Sequence, residues 1–329
     1  METLPSHFDG VRFRNLVPRR NGFGALLRWM VSRERGPWHE ALDAPPGPPP
    51  PPSSGPLRVT FVNHSTFLLQ LNEINILTDP TWSYRAGPIS WAGPRRFRPP
   101  GIRFEDLPHI DLVLISHDHY DHLDLRTLQR LETTYFPTIY AGLNHAPLLA
   151  RHGLENVVEL DWWQEATARP DLRITAVPAQ HFSGRTPFDR DRRLWCGFVI
   201  QTDDKCIYFA GDTGSGPQTA LIARQFPHID LAILPIGAYR PEWFMGEVHM
   251  PPAQAVDAHL RLGARVSVAG HFGTFPLADD GDDEPVENLS QVLRHTDLGS
   301  SEFWVLGFGE GRDLPAASSL VRHQQEIAG

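Results

Sequence analysis

Short apolar runs, separated by turn residues, dominate the chain from residue 57 onward. Two of them, LRVTFVNHSTFLLQL (57–71) and NILTDP (75–80), predict an opening β-meander. Later runs that are short and rich in β-branched residues predict buried strands, and these are IDLVLISH, LRITAVPAQH, CIYFAGD, DLAILPIG and ARVSVAGH. Helical spacing of apolar positions predicts helices at 124–132, 217–226 and 252–262. Because paired strands come first and strands then alternate with helices, the order predicts an α/β sandwich rather than an all-β barrel.

A proline-rich segment at residues 44–56 separates an N-terminal arm from the main body, and its composition favours extended polyproline II structure. We assign residues 1–56 to a basic arm and spacer, 57–310 to the main domain and 311–329 to a C-terminal tail. The first 35 residues carry seven arginines and three acidic residues, and apolar residues recur at near-helical spacing between Phe23 and Val31. Two interpretations stay open: an amphipathic helix on an anionic membrane surface, and a helix packed on the main domain with its arginines in solvent.

Composition and the lengths of the apolar runs argue against several functional classes. A net charge of −9 argues against a nucleic-acid partner, and no apolar run approaches the roughly 20 residues that cross a bilayer. The N-terminus has no signal-peptide pattern. The two cysteines, Cys196 and Cys206, are expected to be buried free thiols, because a hairpin turning near residues 202–204 would not pair them. These features predict a cytoplasmic protein, with peripheral contact to the inner membrane as an open option.

Four of the predicted strands end in a residue that can bind a metal ion. These residues are His117, His181, Asp212 and His271. The first of these strands runs into the loop His117-Asp118-His119-Tyr120-Asp121-His122, which adds further imidazole and carboxylate groups. Ligands at the ends of neighbouring strands can converge on one cleft while the sheet holds them rigid.

The spacing within this set favours two adjacent metal ions. One ion would be reached by His117, His119 and His181, and the other by Asp121, His122 and His271. Asp212 can bridge the two ions, and each ion keeps an open position, as in catalytic rather than structural sites. Imidazole and carboxylate ligands without thiolate suit two Zn²⁺ ions, with Fe or Mn as alternatives.

The H-x-H-x-D-H motif, together with the later strand-end ligands, resembles the metallo-β-lactamase-fold hydrolase superfamily. Six blocks narrow the resemblance to the N-acyl-phosphatidylethanolamine-hydrolysing phospholipase D family, and they are HDHYDHLD (117–124), PAQHFSGR (178–185), LWCGF (194–198), YFAGDTG (208–214), LPIGAY (234–239) and GHFGTFPL (270–277). The resemblance runs from Phe8 to Phe308. It implies a four-layer αββα sandwich of the α/β (α+β) class, with a hydrolase domain over residues 57–310 and a dinuclear zinc site.

The family's zinc ligands, carried over position by position, all fall on residues of the expected type. They are His117, His119, Asp121, His122, His181, Asp212 and His271. The resemblance also implies that Asp79 orients a ligating histidine, and that Tyr120 and His249 contact the phospholipid head group. A packing role for Tyr120 and a surface position for His249 stay open. One residue departs from the family motif, since Asp118 stands where the mammalian enzyme has Asn.

The resemblance implies a zinc-dependent phosphodiesterase of phospholipase D type, in which a metal-bridging hydroxide attacks phosphorus and releases N-acylethanolamine and phosphatidic acid. We assign catalytic roles to Asp212, Asp121 and His249. The sequence leaves open whether Asp212, Tyr120 or His249 assists the leaving alkoxide. Two alternatives stay open: a hydrolase of a smaller ester, such as a sugar-phosphate lactone or a cyclic phosphodiester, and a non-catalytic lipid-binding protein. A homodimer is a further option.

The segment 79–101 is a long loop rich in Trp, Pro, Gly and Arg, which is typical of binding loops. We predict that Trp82, Arg95 and Arg96 contact the substrate, a phospholipid or another phosphodiester, because arginine binds phosphate and the indole suits acyl chains. This loop and the N-terminal arm are the candidates for peripheral membrane contact. A loop packed on itself, with its arginines in solvent, is the alternative.

Overall fold

Two seven-stranded β-sheets lie face to face, with helices on both outer surfaces, in the computed structural model of this chain. The structure describes residues 7–52, 55 and 57–315. This arrangement confirms the predicted four-layer αββα sandwich and the α/β class.

Fourteen strands and seven α-helices make up the described part of the chain. The strands are β1 (Arg58–Asn63), β2 (Thr66–Leu71), β3 (Ile74–Thr78), β4 (Leu112–Ile115), β5 (Thr138–Gly142), β6 (Val157–Leu160), β7 (Glu165–Arg169), β8 (Leu172–Pro178), β9 (Cys196–Gln201), β10 (Cys206–Phe209), β11 (Leu231–Pro235), β12 (Val266–Gly270), β13 (Phe303–Trp304) and β14 (Gly311–Asp313). The helices are α1 (Phe23–Val31), α2 (Leu125–Tyr135), α3 (Ala146–Ala150), α4 (Gln218–Gln225), α5 (Glu242–Met245), α6 (Pro252–Leu262) and α7 (Glu284–Leu293).

The strand order brings the functional strand ends together. The first sheet has the order β14-β1-β2-β3-β4-β5-β6, and the second has the order β13-β12-β11-β10-β9-β8-β7. Strands β1 to β3 form the predicted antiparallel meander, and β3 to β6 run parallel. In the second sheet β8 and β10 both pair antiparallel with β9, whereas β10, β11 and β12 run parallel. The carboxyl ends of β8, β10 and β12 therefore lie at the same edge of that sheet.

The main core lies between the two sheets. Phe61 and Phe67 of the first sheet and Phe198 and Phe209 of the second belong to one buried cluster. Burying one large apolar side chain stabilises a fold by about 1.5–3 kcal/mol, so this shared cluster holds the sheets in a fixed relation. A second cluster joins the outer face of the first sheet to α2.

All three predicted helices are confirmed within two or three residues of their predicted ends. Helix α2 begins after Asp124, whose side chain accepts a hydrogen bond from the backbone N–H of Arg126, and it ends at Phe136 in the left-handed conformation. Helix α6 ends at Gly263, which has a φ of 60° and adopts this conformation without a side-chain clash.

The predicted C-terminal tail contains a strand. Gly311–Asp313 lies within the segment 311–329, yet it pairs antiparallel with β1 at the edge of the first sheet. The sheet therefore extends three residues beyond the predicted domain boundary at residue 310. A strand of three half-buried or exposed residues carries no periodic apolar signal, which is why the sequence did not indicate it. Residues 316–329 of the predicted tail lie outside the described residues.

The described part of the N-terminal arm packs on the main domain. Phe13 is buried in the main core, and the Trp29 indole donates a 2.8 Å hydrogen bond to the carboxylate of Asp279. The opposite side of α1 stays in solvent, since Phe23 is 74% exposed and Val31 is 89% exposed. The arm thus combines the packed helix of one interpretation with an exposed apolar surface.

Both cysteines are free and buried, as predicted. Cys206 pairs with Gln201 across the β9–β10 hairpin, so the register keeps it away from Cys196. Burial raises the pKa of Cys206 to about 12. Among residues 7–52, 55 and 57–315, the longest helices have 11 residues, and no helix has the length and apolar character needed to cross a bilayer.

Candidate metal centre

The strand ends of both sheets deliver imidazole and carboxylate groups to one buried cluster. All seven residues that the sequence analysis proposes as metal ligands lie in it. They are His117, His119, Asp121, His122, His181, Asp212 and His271. His117 follows β4, His181 follows β8, Asp212 follows β10 and His271 follows β12.

Three histidines form the first potential metal site. The Nε2 atom of His117 lies 2.8 Å from Nδ1 of His119, and Nε2 of His181 lies 3.3 Å from the same atom. Their ligand atoms all lie within 4.8 Å of one another. One divalent ion can therefore contact all three imidazoles after small side-chain adjustments.

Asp121, His122 and His271 form the second potential site. The Asp121 carboxylate lies 3.2 Å from His122 Nε2 and 3.7 Å from His271 Nε2. Asp212 lies between the two sites. Its Oδ2 atom is 3.1 Å from His271 Nε2 and 3.7 Å from His181 Nε2, which places one carboxylate within reach of both ions. This geometry fits the bridging position proposed for Asp212.

Unsatisfied buried atoms support metal binding at this cluster. Asp212 Oδ1 is buried without a hydrogen-bond partner among the described residues, and the buried Nε2 atoms of His122 and His271 lie near carboxylate oxygens without a well-directed hydrogen bond. Burying a polar atom without a partner costs about 1–3 kcal/mol, a penalty that a bound cation would remove. The donor set of imidazole and carboxylate suits zinc, iron or manganese.

Electrostatics within the cluster separate the histidines into two types. Burial, together with the neighbouring His122, lowers the pKa of His117 well below its usual value, so its imidazole is neutral and ready to bind metal. Burial also opposes protonation of His271, but Asp212 and Asp121 outweigh it and raise the pKa of His271 to about 9. The same two carboxylates raise the pKa of His122 against the effect of burial. Without metal, His122 and His271 are therefore protonated and form ion pairs with the carboxylates.

Asp79 lies behind the cluster and orients it. Its carboxylate accepts a 2.7 Å hydrogen bond from His122 Nδ1 and two further bonds from the N–H and hydroxyl groups of Ser116. The Ser116 hydroxyl also lies 2.9 Å from His117 Nδ1. Asp79 thus fixes one ligating histidine directly and a second one through Ser116, which fits the orienting role proposed from the sequence.

His64 belongs to this cluster and was missed by the sequence analysis. Its Nε2 atom lies 2.9 Å from the Asp121 carboxylate, and the imidazole is buried between the rings of His122 and His271. His64 occupies the tight turn between β1 and β2, within a segment that the sequence presents only as two strands. The sequence signal that could have identified His64 is its position at the end of the first predicted strand, but no H-x-H pattern accompanies it.

The backbone is strained where these side chains enter the site. His64, Asp79 and His271 have φ values of 48°, 35° and 59°, in the left-handed region that non-glycine residues rarely adopt. Such strain clusters at functional sites because the surrounding structure holds the residue there. Gly211, just before Asp212, has a φ of 59°, and a Cβ at this position would lie 2.4 Å from the Ser116 Cβ.

A cavity of about 790 Å³ opens onto the metal ligands. His119, Asp121 and Asp212 are among the residues that line it. The other walls are largely apolar and come from the main domain and from the N-terminal arm, including Phe13, Leu26, Trp29, Phe182, Phe244, Met245 and Leu277. The arm therefore forms part of the cavity that leads to the metal centre.

Residues 74–272 match the family model described as the beta-lactamase superfamily domain. The chain belongs to this superfamily. It is a metal-dependent hydrolase of the metallo-β-lactamase fold, and its cluster of seven candidate ligands lies where the strands of the two sheets end.

Relatives of this hydrolase include two named for phospholipid hydrolysis. The chain is 35% identical to N-acyl-phosphatidylethanolamine-hydrolyzing phospholipase D 1 of Caenorhabditis elegans over 78% of this chain and 76% of that protein. It is 32% identical to the mitochondrial N-acyl-phosphatidylethanolamine-hydrolyzing phospholipase D of Saccharomyces cerevisiae over 73% of this chain, which spans 52% of the yeast protein. The fold is shared with Igni18, a metallo hydrolase of the archaeon Ignicoccus hospitalis, at a TM-score of 0.60 and 24% identity, covering 80% of this chain and all of the other.

Of the predicted substrate contacts in this hydrolase, His249 lies at the metal centre. Its Nδ1 atom is 3.8 Å from the Asp212 carboxylate, and the residue lines the main cavity. Tyr120 faces the other way, since its hydroxyl donates to the Arg185 carbonyl and the Arg185 guanidinium stacks 4.0 Å from its ring. Tyr120 lines a second cavity, beside the metal ligands but separate from the main one.

The other three predicted contacts do not line the main cavity. The Trp82 indole donates to the Ile102 carbonyl, and buried Arg96 donates to the backbone carbonyls of Ser83 and Thr81. Arg95 forms an ion pair with Glu40 of the arm. These three groups bind the protein itself, whereas Ile89 and Trp91 in the middle of the loop at 79–101 are exposed.

Asp118, the departure from the family motif, points away from the metal cluster. Its buried carboxylate accepts a hydrogen bond from the Gly184 N–H and forms a short ion pair with Arg193. The additional negative charge is thus compensated by Arg193 and does not add a metal ligand.

Proposed function

We propose that this hydrolase is a phosphodiesterase of phospholipase D type that converts N-acyl-phosphatidylethanolamine and water into N-acylethanolamine and phosphatidic acid. The observation that carries this proposal is the cavity of about 790 Å³, which joins a largely apolar wall to the metal ligands. A phosphodiester that carries acyl chains has an apolar part that suits the wall and a phosphate group that suits the metal site. The relatives named for this reaction support the assignment.

Two zinc ions, or iron or manganese in their place, would be held by the seven residues of the cluster, and Asp212 lies within reach of histidines from both potential sites. When bound, they would lower the pKa of water and stabilise negative charge on the phosphoryl oxygens. In the reaction the oxygen of water bonds to phosphorus, the bond from phosphorus to the ethanolamine oxygen breaks, and a proton passes to the departing alkoxide.

The chain's own residues position the reacting groups. We propose catalytic roles for Asp212, Asp121 and His249. Burial lowers the pKa of His249 to about 4, so its imidazole is neutral at pH 7 and keeps one N–H with which to bind a substrate oxygen. The guanidinium groups of Arg19 and Arg190 lie 4.9 Å and 4.7 Å from the Phe182 ring centroid in the same wall. Both pair with Asp191, which balances part of their charge.

The test is hydrolysis of N-acyl-phosphatidylethanolamine in mixed micelles by metal-loaded protein, followed by mass spectrometry. Wild-type protein should release both products, whereas His119→Ala and Asp212→Asn should lose most of the activity. The first change removes a proposed metal ligand, and the second removes the negative charge of the proposed bridging carboxylate. His228→Ala, at an exposed histidine outside the cluster, serves as the matched control and should retain full activity. A protein that holds two metal ions but leaves this lipid intact would contradict the proposal and favour a smaller ester or a cyclic phosphodiester.

We also propose that α1 contacts the membrane from which the lipid enters. The exposed residues Phe23, Leu27, Met30 and Val31 lie on this helix, and Phe23 also lines the cavity. Arg20, next to the helix, provides charge for anionic head groups. Peripheral contact of this kind fits a cytoplasmic protein at the inner membrane, and a homodimer stays a prediction.

Vesicle co-sedimentation tests the role of α1. The double variant Phe23→Glu/Val31→Glu should bind anionic vesicles several-fold more weakly, because it places charge on the apolar surface. Leu260→Glu is the matched control, since Leu260 is 57% exposed on α6, a different helix. Equal vesicle binding by the wild type and the double variant would contradict a membrane role for α1.

A further inference from the structure

A second cavity, of about 280 Å³, lies on the other side of the H-x-H-x-D-H loop from the main cavity. Its walls come from residues 83–90, the start of α2 and Arg185. Tyr120 lines this cavity, whereas its chain neighbours His119 and Asp121 line the main one. The two cavities therefore flank the metal centre, and the reaction proposed above uses only the main one.

The lining of the second cavity is positively charged. Three guanidinium groups, of Arg85, Arg126 and Arg185, contribute to it, and Asp124 is the one carboxylate among the lining residues. His152 also lies in the wall. Positive charge lining a concave surface attracts anions.

The Asp124 carboxylate is fully engaged and does not neutralise the arginines directly. One oxygen accepts from the Ser83 hydroxyl and the Arg126 N–H, and the other accepts from the Thr127 hydroxyl at 2.6 Å and the Ser83 N–H at 2.9 Å. No ion pair links it to a guanidinium group among the described residues. Its structural task is to cap α2 and to hold the loop at residue 83.

The arginines retain free donors. Within the described part of the chain, the Arg126 side chain has no hydrogen bond or ion pair, and it is exposed. Arg185 uses Nη1 to donate to the carbonyls of Asp118 and Leu123, while no described acceptor binds its Nη2 or Nε. Arg85 likewise uses only Nη1, on the Gly93 carbonyl. A phosphate group offers the oxygen acceptors that such forked donors bind.

One exposed apolar side chain lies in the wall of this cavity, and two more follow its lining residues closely in the chain. Ile89, in its wall, is 42% exposed, and Trp91, two residues further on, is 76% exposed. Phe188, three residues after Arg185, is 81% exposed. Apolar residues beside a cationic cavity suit a phosphate carried by a lipid, although the cavity itself would take free phosphate by the same chemistry.

We infer that this cavity, lined by Arg85, Arg126 and Arg185, is an anion-binding site for a phosphate group, separate from the metal centre. This inference does not depend on which lipid the protein hydrolyses. Because the Arg185 guanidinium stacks on Tyr120 and donates to the Asp118 and Leu123 carbonyls, a ligand bound to it would also help to fix the loop that carries the candidate metal ligands.

The experiment compares Arg126→Gln with Arg151→Gln in metal-loaded, full-length protein. Arg151 is an exposed arginine just outside the cavity, so both changes remove one charge from the same region. Calorimetric titration with inorganic phosphate tests the free ligand, and co-sedimentation with phosphatidylcholine vesicles, with or without phosphatidic acid, tests the lipid-borne one. Phosphate that binds the metal centre is unaffected by either change.

We expect Arg126→Gln to weaken the second phosphate-binding event, or the phosphatidic-acid-dependent vesicle binding, by roughly tenfold, as for the loss of a charge-assisted hydrogen bond. Arg151→Gln should behave as the wild type, and Arg85→Gln should reproduce the effect of Arg126→Gln. A loss confined to phosphate identifies free phosphate as the source, whereas a loss confined to vesicles identifies the lipid head group. Equal behaviour of Arg126→Gln and Arg151→Gln in both titrations would overturn the inference.

Discussion

The Asp79 carboxylate accepts a 2.7 Å hydrogen bond from Nδ1 of His122, and both residues are fully buried. This contact fixes the tautomer of His122, because a proton on Nδ1 leaves Nε2 free to bind metal. The same carboxylate holds Ser116, which contacts His117. One side chain from the end of the β-meander thus aligns ligands of both potential metal sites.

Asp79→Asn should therefore reduce metal affinity by roughly 10–100-fold, as is usual for partners of ligating histidines. An amide at this position can donate to His122 Nδ1, which would favour the tautomer whose Nε2 carries the proton. Metal content after dialysis against a chelator of known affinity measures the effect. Asp124→Asn is the control, because Asp124 is also a buried carboxylate but binds only the α2 cap and nearby loop groups. Equal metal loss in both variants would contradict this role of Asp79.

His64→Ala tests the histidine that the sequence did not reveal. The His64 imidazole contacts the Asp121 carboxylate at 2.9 Å and so acts as a positioning residue. We expect the variant to retain two metal ions at saturation but to bind the second roughly tenfold more weakly. His64→Gln, which can still donate a hydrogen bond, should restore part of the affinity. A maximum of one metal ion per chain would instead make His64 a ligand.

Metal binding should release protons and strengthen as the pH rises. In the metal-free protein burial disfavours protonated His271, but Asp212 and Asp121 raise its pKa to about 9, and they raise that of His122 as well. Both imidazoles therefore carry protons at pH 7 that must leave before Nε2 can bind metal, so affinity falls as the pH drops. Calorimetry in two buffers of different ionisation enthalpy counts these protons. Metal affinity that is constant between pH 6 and 9 would contradict the prediction.

Gly211→Ala should destabilise the protein more than Gly263→Ala. Both glycines have left-handed φ values, of 59° and 60°, so alanine is strained by roughly 1–2 kcal/mol at either position. Only at Gly211 would the new Cβ also meet a neighbour, the Ser116 Cβ at 2.4 Å. Overpacking of this kind costs a further ~1–3 kcal/mol of folding free energy. Urea unfolding of the metal-free variants measures the difference, and equal losses would show that Ser116 moves freely.

The sequence by itself determined the sandwich and the residues that form the candidate metal cluster. Short, mainly apolar strands such as β4 and β12 carry a local signal, and a candidate ligand, His117 or His271, follows each within two residues. The H-x-H-x-D-H ligands are likewise close in the chain, so their proximity follows from local geometry alone. A candidate ligand that follows an apolar strand closely can therefore be identified from the sequence without knowing the order of the strands in the sheet.

Tertiary structure decided the features that depend on contacts between distant segments. His64 meets Asp121 across 57 positions of sequence, and the arm is held at the metal-site cavity by long-range contacts such as the hydrogen bond from Asn15 to the His181 carbonyl. The sequence predicted that Arg96 contacts the substrate, whereas in the fold its guanidinium group donates to the Ser83 and Thr81 carbonyls. Periodicity reports how each segment is buried but not which segment covers it, because that depends on strand order and loop packing.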